Sequence, residues 1–163
     1  MRLRRPLVFA VAAGCVLAPA VPAFADITAF LGAAGGPSTR VARGLAVGGG
    51  VSVLGWEVEY CNTSDDTAQG SPRLQTVMVN GLAQTPFNPR GMQFYGTLGA
   101  GFYHEDLLGA SHTNIGVNGG LGMKMSLVGP LRLRLDYRLT RLVGSPFGSN
   151  YVHRFYVGAN VKF

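Results

Sequence analysis

The stretch LRLRLDYRLTR, residues 131–141, sets Leu131, Leu133, Leu135, Tyr137 and Leu139 against Arg132, Arg134, Asp136, Arg138 and Thr140. A period of two puts these sets on opposite faces of a β-strand, whereas a helix would mix them around its circumference. Similar alternation recurs along the chain. It predicts eight strands, at about 27–35, 43–53, 55–63, 73–82, 92–104, 113–125, 131–141 and 151–163. Turn-forming stretches such as GGPST, SDDTAQGSPR, PFNPRG and GSPFGSN separate them. The expectation is an all-β fold, an eight-stranded antiparallel up-and-down barrel.

Alternation does not say which face meets which solvent. A water-soluble barrel turns its apolar face inward and a membrane barrel turns it outward. Three features favour the second. The polar faces are poor material for a water-exposed surface: strand six offers Asn114, Gly116, Asn118, Gly120, Gly122 and Lys124, and strand two offers Gly44, Ala46, Gly48, Gly50 and Ser52. Glycine beside Arg and Tyr suits a crowded interior. A strand of about 11 residues, tilted by about 45°, spans about 25 Å, the height of a lipid-facing band. Aromatics on the apolar faces fall near strand ends, with Trp56, Phe94 and Phe163 toward the periplasmic end and Tyr60, Phe102 and Tyr151 toward the outer end. Such belts mark both membrane interfaces. Strands one and four alternate poorly, and their faces are left unassigned.

Charged residues make up 13% of the chain, about half the usual share of roughly 25%. The first 25 residues read as an export signal. Arg2, Arg4 and Arg5 precede an apolar run, and Ala23-Phe24-Ala25 fits the small-x-small cleavage rule, so the expected division is signal 1–25 and barrel 26–163. A competing reading takes AAGC at 12–15 as a lipoprotein box ending in Cys15. Removal of the signal lowers the net charge from +6 to about +3, which argues against a nucleic-acid partner. Past the signal no run of 18 apolar residues occurs, so a transmembrane helix is not expected. Cys61 is then the only thiol, and no Cys/His cluster suggests zinc. No metal or cofactor is expected.

The chain ends in YVGANVKF, where Phe155, Val157, Ala159, Val161 and Phe163 alternate with Tyr156, Gly158, Asn160 and Lys162. This ending resembles the C-terminal signature of bacterial outer-membrane β-barrels, carried here by Tyr156, Gly158, Val161 and Phe163. FYGTLGAGFY (94–103) and GPLRLRLDYRL (129–139) resemble the small porin-like family related to OmpA and OmpX. The resemblance covers residues 26–163. It implies export through the inner membrane, recognition of the last strand by the barrel assembly machinery, and residence in the outer membrane against lipid and lipopolysaccharide.

Eight strands enclose an interior that side chains fill. The predicted inward charges are Glu57, Glu59, Lys124, Arg132, Arg134, Asp136, Arg138, Arg154 and Lys162, and buried charges must pair. Glu57 and Glu59 are expected to meet the arginines of strand seven through the lumen. For catalysis the best candidate is HEDLLGASHTN (104–114), read as part of an outer loop with His104, Glu105, Asp106, Ser111, His112 and Thr113 close together. Ser/His/acid chemistry needs a base within reach of the hydroxyl, and adjacent Ser111-His112 is no nucleophile motif. No catalytic residue is assigned. The glycines of 44–55 lack the Lys-Ser/Thr ending of a phosphate loop, and Asp65 with Asp66 makes only a weak cation site. The favoured function is a closed barrel with a structural or surface-interaction role. The alternatives are passage of small apolar solutes and lipid A modification.

Overall fold

The computed structural model describes residues 23–36, 38–86, 89–147 and 150–163. Cys15 and most of the export-signal reading fall in residues 1–22, outside the described residues. Eight strands follow one another: β1 (Ala23–Gly35), β2 (Arg40–Val51), β3 (Leu54–Thr63), β4 (Arg73–Gln84), β5 (Met92–Leu107), β6 (Ala110–Val128), β7 (Leu131–Leu142) and β8 (Tyr151–Lys162). Each pairs antiparallel with its neighbours in the chain, and β1 pairs with β8, from Asp26 opposite Lys162 to Gly35 opposite His153. Closure removes the sheet edges whose unpaired N–H and C=O groups would cost several kcal/mol each in lipid. β1 begins three residues ahead of Asp26. Ala25 N–H donates to the Phe163 carbonyl and Phe163 N–H donates to the Ala25 carbonyl, each at 3.0 Å, which extends the seam past the predicted strand start.

The apolar face looks out. Leu98 is 74% exposed, Leu121 70% and Leu31 61%, whereas Glu59, Arg134 and Arg138 are 0% exposed. The two faces left unassigned now resolve. β1 turns Asp26, Thr28, Phe30 and Ala34 inward. β4 turns Leu74, Met78 and Leu82 inward together with Thr76, Asn80 and Gln84. Its alternation was hard to read because apolar side chains occupy both faces.

One expected loop is a strand pair. The predicted strands 92–104 and 113–125 leave residues 105–112 as an outer loop, but β5 and β6 stay paired out to Leu107 opposite Ala110 and turn on Leu108 and Gly109 alone. Both turn residues have positive φ, 51° and 88°, as a two-residue hairpin requires. A leucine in place of the usual Asn hid this turn from the sequence.

Inward glycines make room for inward rings. Gly122 lies opposite Tyr95, and a Cβ there would overlap the Tyr95 ring and hydroxyl. Gly44 and Gly158 flank Phe30 on either side, and Phe30 stacks on Tyr156 with ring centroids 4.2 Å apart.

Candidate functional site: the charged lumen

The interior is built as layers of charge. Among the described residues five acids (Asp26, Glu57, Glu59, Glu105, Asp136) and five bases (Arg40, Lys124, Arg134, Arg138, Arg154) are buried. The lumen is therefore charge-balanced, as a low-dielectric interior demands.

At the end carrying both termini, Lys124 Nζ lies 2.5 Å from Asp26 Oδ2 and 5.6 Å from the Tyr95 ring centre. The middle layer is a ring of alternating sign. Arg134 Nη1 engages Glu57 Oε2, and Arg134 Nη2 lies 2.7 Å from Asp136 Oδ2. Arg138 Nη2 donates to Glu57 Oε1 at 2.6 Å and its Nε to Asp136 Oδ1 at 3.2 Å. Glu57 and Asp136 thus each hold both arginines. Tyr95 Oη donates to Asp136 Oδ2 and accepts from Arg134 Nε at 2.6 Å. Arg138 Nη1 reaches Glu59 Oε2 at 2.9 Å, and Tyr156 Oη donates to the same oxygen at 2.8 Å. β7 faces β3 across the barrel, so these bonds cross the lumen.

Toward the opposite end, Arg154 Nη1 donates to Thr76 Oγ1 at 3.0 Å. Arg40 Nη1 donates to the Pro72 carbonyl, holding the loop before β4. Glu105 Oε2 accepts from Ser145 Oγ at 2.8 Å, holding the loop after β7. Cys61 is a free, buried thiol packed with Leu74 and Tyr103.

Of the nine predicted interior charges, the structure brings Glu57, Glu59, Arg134, Asp136 and Arg138 into one network and pairs Lys124 with Asp26. Arg154 is buried, and no carboxylate pairs with it among the described residues. Arg132 and Lys162 are only half-buried at the rim, with Arg132 Nη1 3.5 Å from Gln93 Oε1 and Lys162 Nζ 4.5 Å from the Phe24 ring centre. Sequence reasoning missed Asp26, Tyr95, Arg40 and Glu105 as interior partners. Strand parity was the available signal: Asp26 shares its face with Thr28, and Tyr95 shares its face with Thr97.

Trp56, Phe94 and Phe163 sit exposed at the end with the termini, while Tyr60, Phe102 and Tyr151 lie exposed in the opposite half. Of the C-terminal signature residues, Val161 and Phe163 point out, whereas Tyr156 is fully buried and Gly158 faces the lumen.

The 104–114 candidates come apart. Ser111 is exposed on one face of β6 and His112 turns to the other, beside Tyr103, with ring centroids 6.1 Å apart. Their side chains diverge, so His112 does not serve Ser111 as a base. His104 Nδ1 lies 2.7 Å from Thr113 Oγ1, and His104 Nε2 lies 3.7 Å from Asp106 Oδ2. Asp66 caps a short turn, accepting from Gln69 N–H at 3.3 Å.

Residues 11–163 match the family model described as outer membrane protein beta-barrel domain. The chain belongs to that family. It is accordingly an outer-membrane protein. No curated protein matches it. Among solved structures it is similar to the N-terminal β-barrel domain of Pseudomonas aeruginosa OprF, at 12% identity and a TM-score of 0.66 over 86% of this chain and 97% of that one. It is also similar to Neisserial surface protein A, NspA, at 17% identity and a TM-score of 0.60, with the same coverage. The outer membrane enzyme PagL gives 14% identity and a TM-score of 0.53 over 83% of this chain and 98% of that one. At such identities these likenesses concern the fold.

Proposed function

We propose that this member of the family is a closed barrel with a structural and surface-interaction role in the cell envelope, rather than a diffusion pore. The observation that carries this reading is the ring of Arg134, Arg138, Glu57 and Asp136, which occupies the middle of the lumen with every member buried. Small apolar solutes would have to cross that layer, where desolvated charge offers them no apolar path. The mature chain reaches the outer membrane by export through the inner membrane. Both termini face the periplasm, and the loops before β2, β4, β6 and β8 face outward. Tyr156, Gly158, Val161 and Phe163 serve as the signal read by the assembly machinery. Tyr156 is accessible to such a reader only before β8 closes against β1. The aromatics Trp56, Phe94 and Phe163 sit at one membrane interface, and Tyr60, Phe102 and Tyr151 at the other.

The test is conductance in planar bilayers. The purified barrel is expected to give no steady ion current at modest voltage, and replacing Arg134 and Arg138 by Ala should open measurable current if the double variant inserts. Steady unitary currents through the unaltered protein would refute the closed-barrel reading.

A further inference from the structure

The lumen balances its buried charge in sum but not along its axis. In the middle layer and toward the termini, Lys124, Arg134 and Arg138 are each paired with carboxylates, and half-buried Arg132 and Lys162 add positive charge at that rim. Beyond the middle layer, toward the opposite end, the only buried acid among the described residues is Glu105, against Arg40 and Arg154. Glu105 accepts from Ser145, and no ion pair joins it to either arginine. The ladder sets the arginines in a row. Arg138 lies directly opposite Arg154, and Arg154 and Arg40 are the partners of Ala34 on its two sides. Arg138, Arg154, Ala34 and Arg40 are all buried. Like charges directly opposite one another repel. Arg138 is met by Glu57, Glu59 and Asp136. Arg40 directs Nη1 to the carbonyls of Pro72 and Ser64 and leaves its Nε without a partner. Arg154 makes one bond, from Nη1 to Thr76 Oγ1 at 3.0 Å, and its Nε and Nη2 have no hydrogen-bond partner among the described residues. Glu59 Oε1 is also without a partner, yet no ion pair links it to Arg154.

A buried guanidinium with idle donors, beside a second guanidinium, carries a large penalty unless negative charge meets it. Nε and Nη2 form one edge of the planar group, and their parallel N–H bonds converge on a single acceptor. The surroundings limit what that acceptor is. Arg154 reaches across the barrel to Thr76 on β4, which stands between Cys61 and Tyr103 in the ladder. Along β8 its inward neighbours are Val152 and Tyr156. Cys61, Tyr103, Val152 and Tyr156 belong to one buried apolar cluster. A phosphate or sulfate would bring oxygens that this cluster leaves unmet, at a cost in free energy. A single-atom anion needs only the guanidinium edge. We infer that the half of the lumen opposite the termini binds one monovalent anion of chloride size, held by Arg154 Nε and Nη2. Thr76 positions the guanidinium from Nη1, and Arg40 adds positive charge from across Ala34. This goes beyond the closed-barrel proposal and does not depend on it.

The experiment refolds the full barrel in detergent with sodium chloride, sodium bromide or sodium gluconate at equal ionic strength. The readout is the temperature at which the unboiled gel band converts to the unfolded one. Chloride and bromide should each raise that temperature over gluconate by about 3–6 °C when present at about ten times the dissociation constant, and the shift should saturate. R154Q should lose the shift while keeping heat-modifiable mobility, and R132Q, at the opposite rim, should keep it. Should R154Q not fold, R40Q should raise the halide concentration at half-effect at least threefold. Crystals of the unaltered barrel grown in bromide should show an anomalous peak within hydrogen-bond reach of Arg154 Nε and Nη2. A halide shift that does not saturate, one that persists in folded R154Q or is unchanged in R40Q, or an Arg154 side chain turned onto Glu59 with no bromide beside it would overturn the assignment. None of these results depends on whether the barrel conducts, so the closed-lumen reading stands or falls separately.

Discussion

Glu57 holds Arg134 and Arg138, whose other carboxylate partners among the described residues are Asp136 and, for Arg138, Glu59. Burial of an ion in a low-dielectric interior costs several kcal/mol, and that cost is offset only when partners saturate it. Removing one carboxylate therefore leaves positive charge uncompensated in the middle of the lumen. Glu57→Leu is expected to destabilise the barrel by about 3–5 kcal/mol, read as a lower temperature for conversion of the unboiled band to the unfolded one. Arg132→Gln, at the half-exposed rim, should change stability by no more than about 1 kcal/mol. Equal effects from the two substitutions would mean that the inner ring is not a special load on stability. Several of these partners were legible in the sequence, because Glu57, Glu59 and the β7 arginines fall on polar faces of strongly alternating strands. Asp26 was not, since it was read as the start of the mature chain. Tyr95 was also missed, because an aromatic on a glycine-rich strand carries no charge to mark it.

At the scale of elements, the barrel works by matching large inward side chains to inward glycines on the neighbouring strand. Tyr95 on β5 occupies the space that Gly122 leaves on β6, and from there its hydroxyl reaches Arg134 and Asp136. Gly122→Ala is expected to destabilise the fold by about 1–3 kcal/mol through overpacking. In a Tyr95→Ala background the same change should cost far less, because the ring it strikes is gone. Additive losses in this double-mutant cycle, measured by urea unfolding in detergent, would contradict the steric account. The strands whose inner faces are polar could be assigned from alternation alone, as β3 and β7 show. β4 could not, because Leu74, Met78 and Leu82 fill volume inside while Val77 and Val79 meet lipid outside. The β5–β6 hairpin was likewise hidden, since its polar tip reads as loop and only the ladder shows that it stays paired.

For the whole molecule, the outward surface divides by depth. Val79 lies near the middle of the lipid-facing surface, paired with Val58 and Ala100, whereas Val41 sits near the rim opposite the termini. Lysine at Val79 should cost about 2–4 kcal/mol in lipid vesicles and lysine at Val41 about 0–1 kcal/mol, a difference that water-facing positions would not show. The most direct measurement uses the chain's single tryptophan, Trp56, which is 53% exposed and directly precedes the buried Glu57. In refolded, unsubstituted protein, phosphatidylcholine brominated near the headgroup should quench Trp56 fluorescence strongly, lipid brominated at mid-chain less, and aqueous acrylamide weakly. Strong quenching by acrylamide with none by either brominated lipid would place this face in water and contradict the outward-apolar barrel.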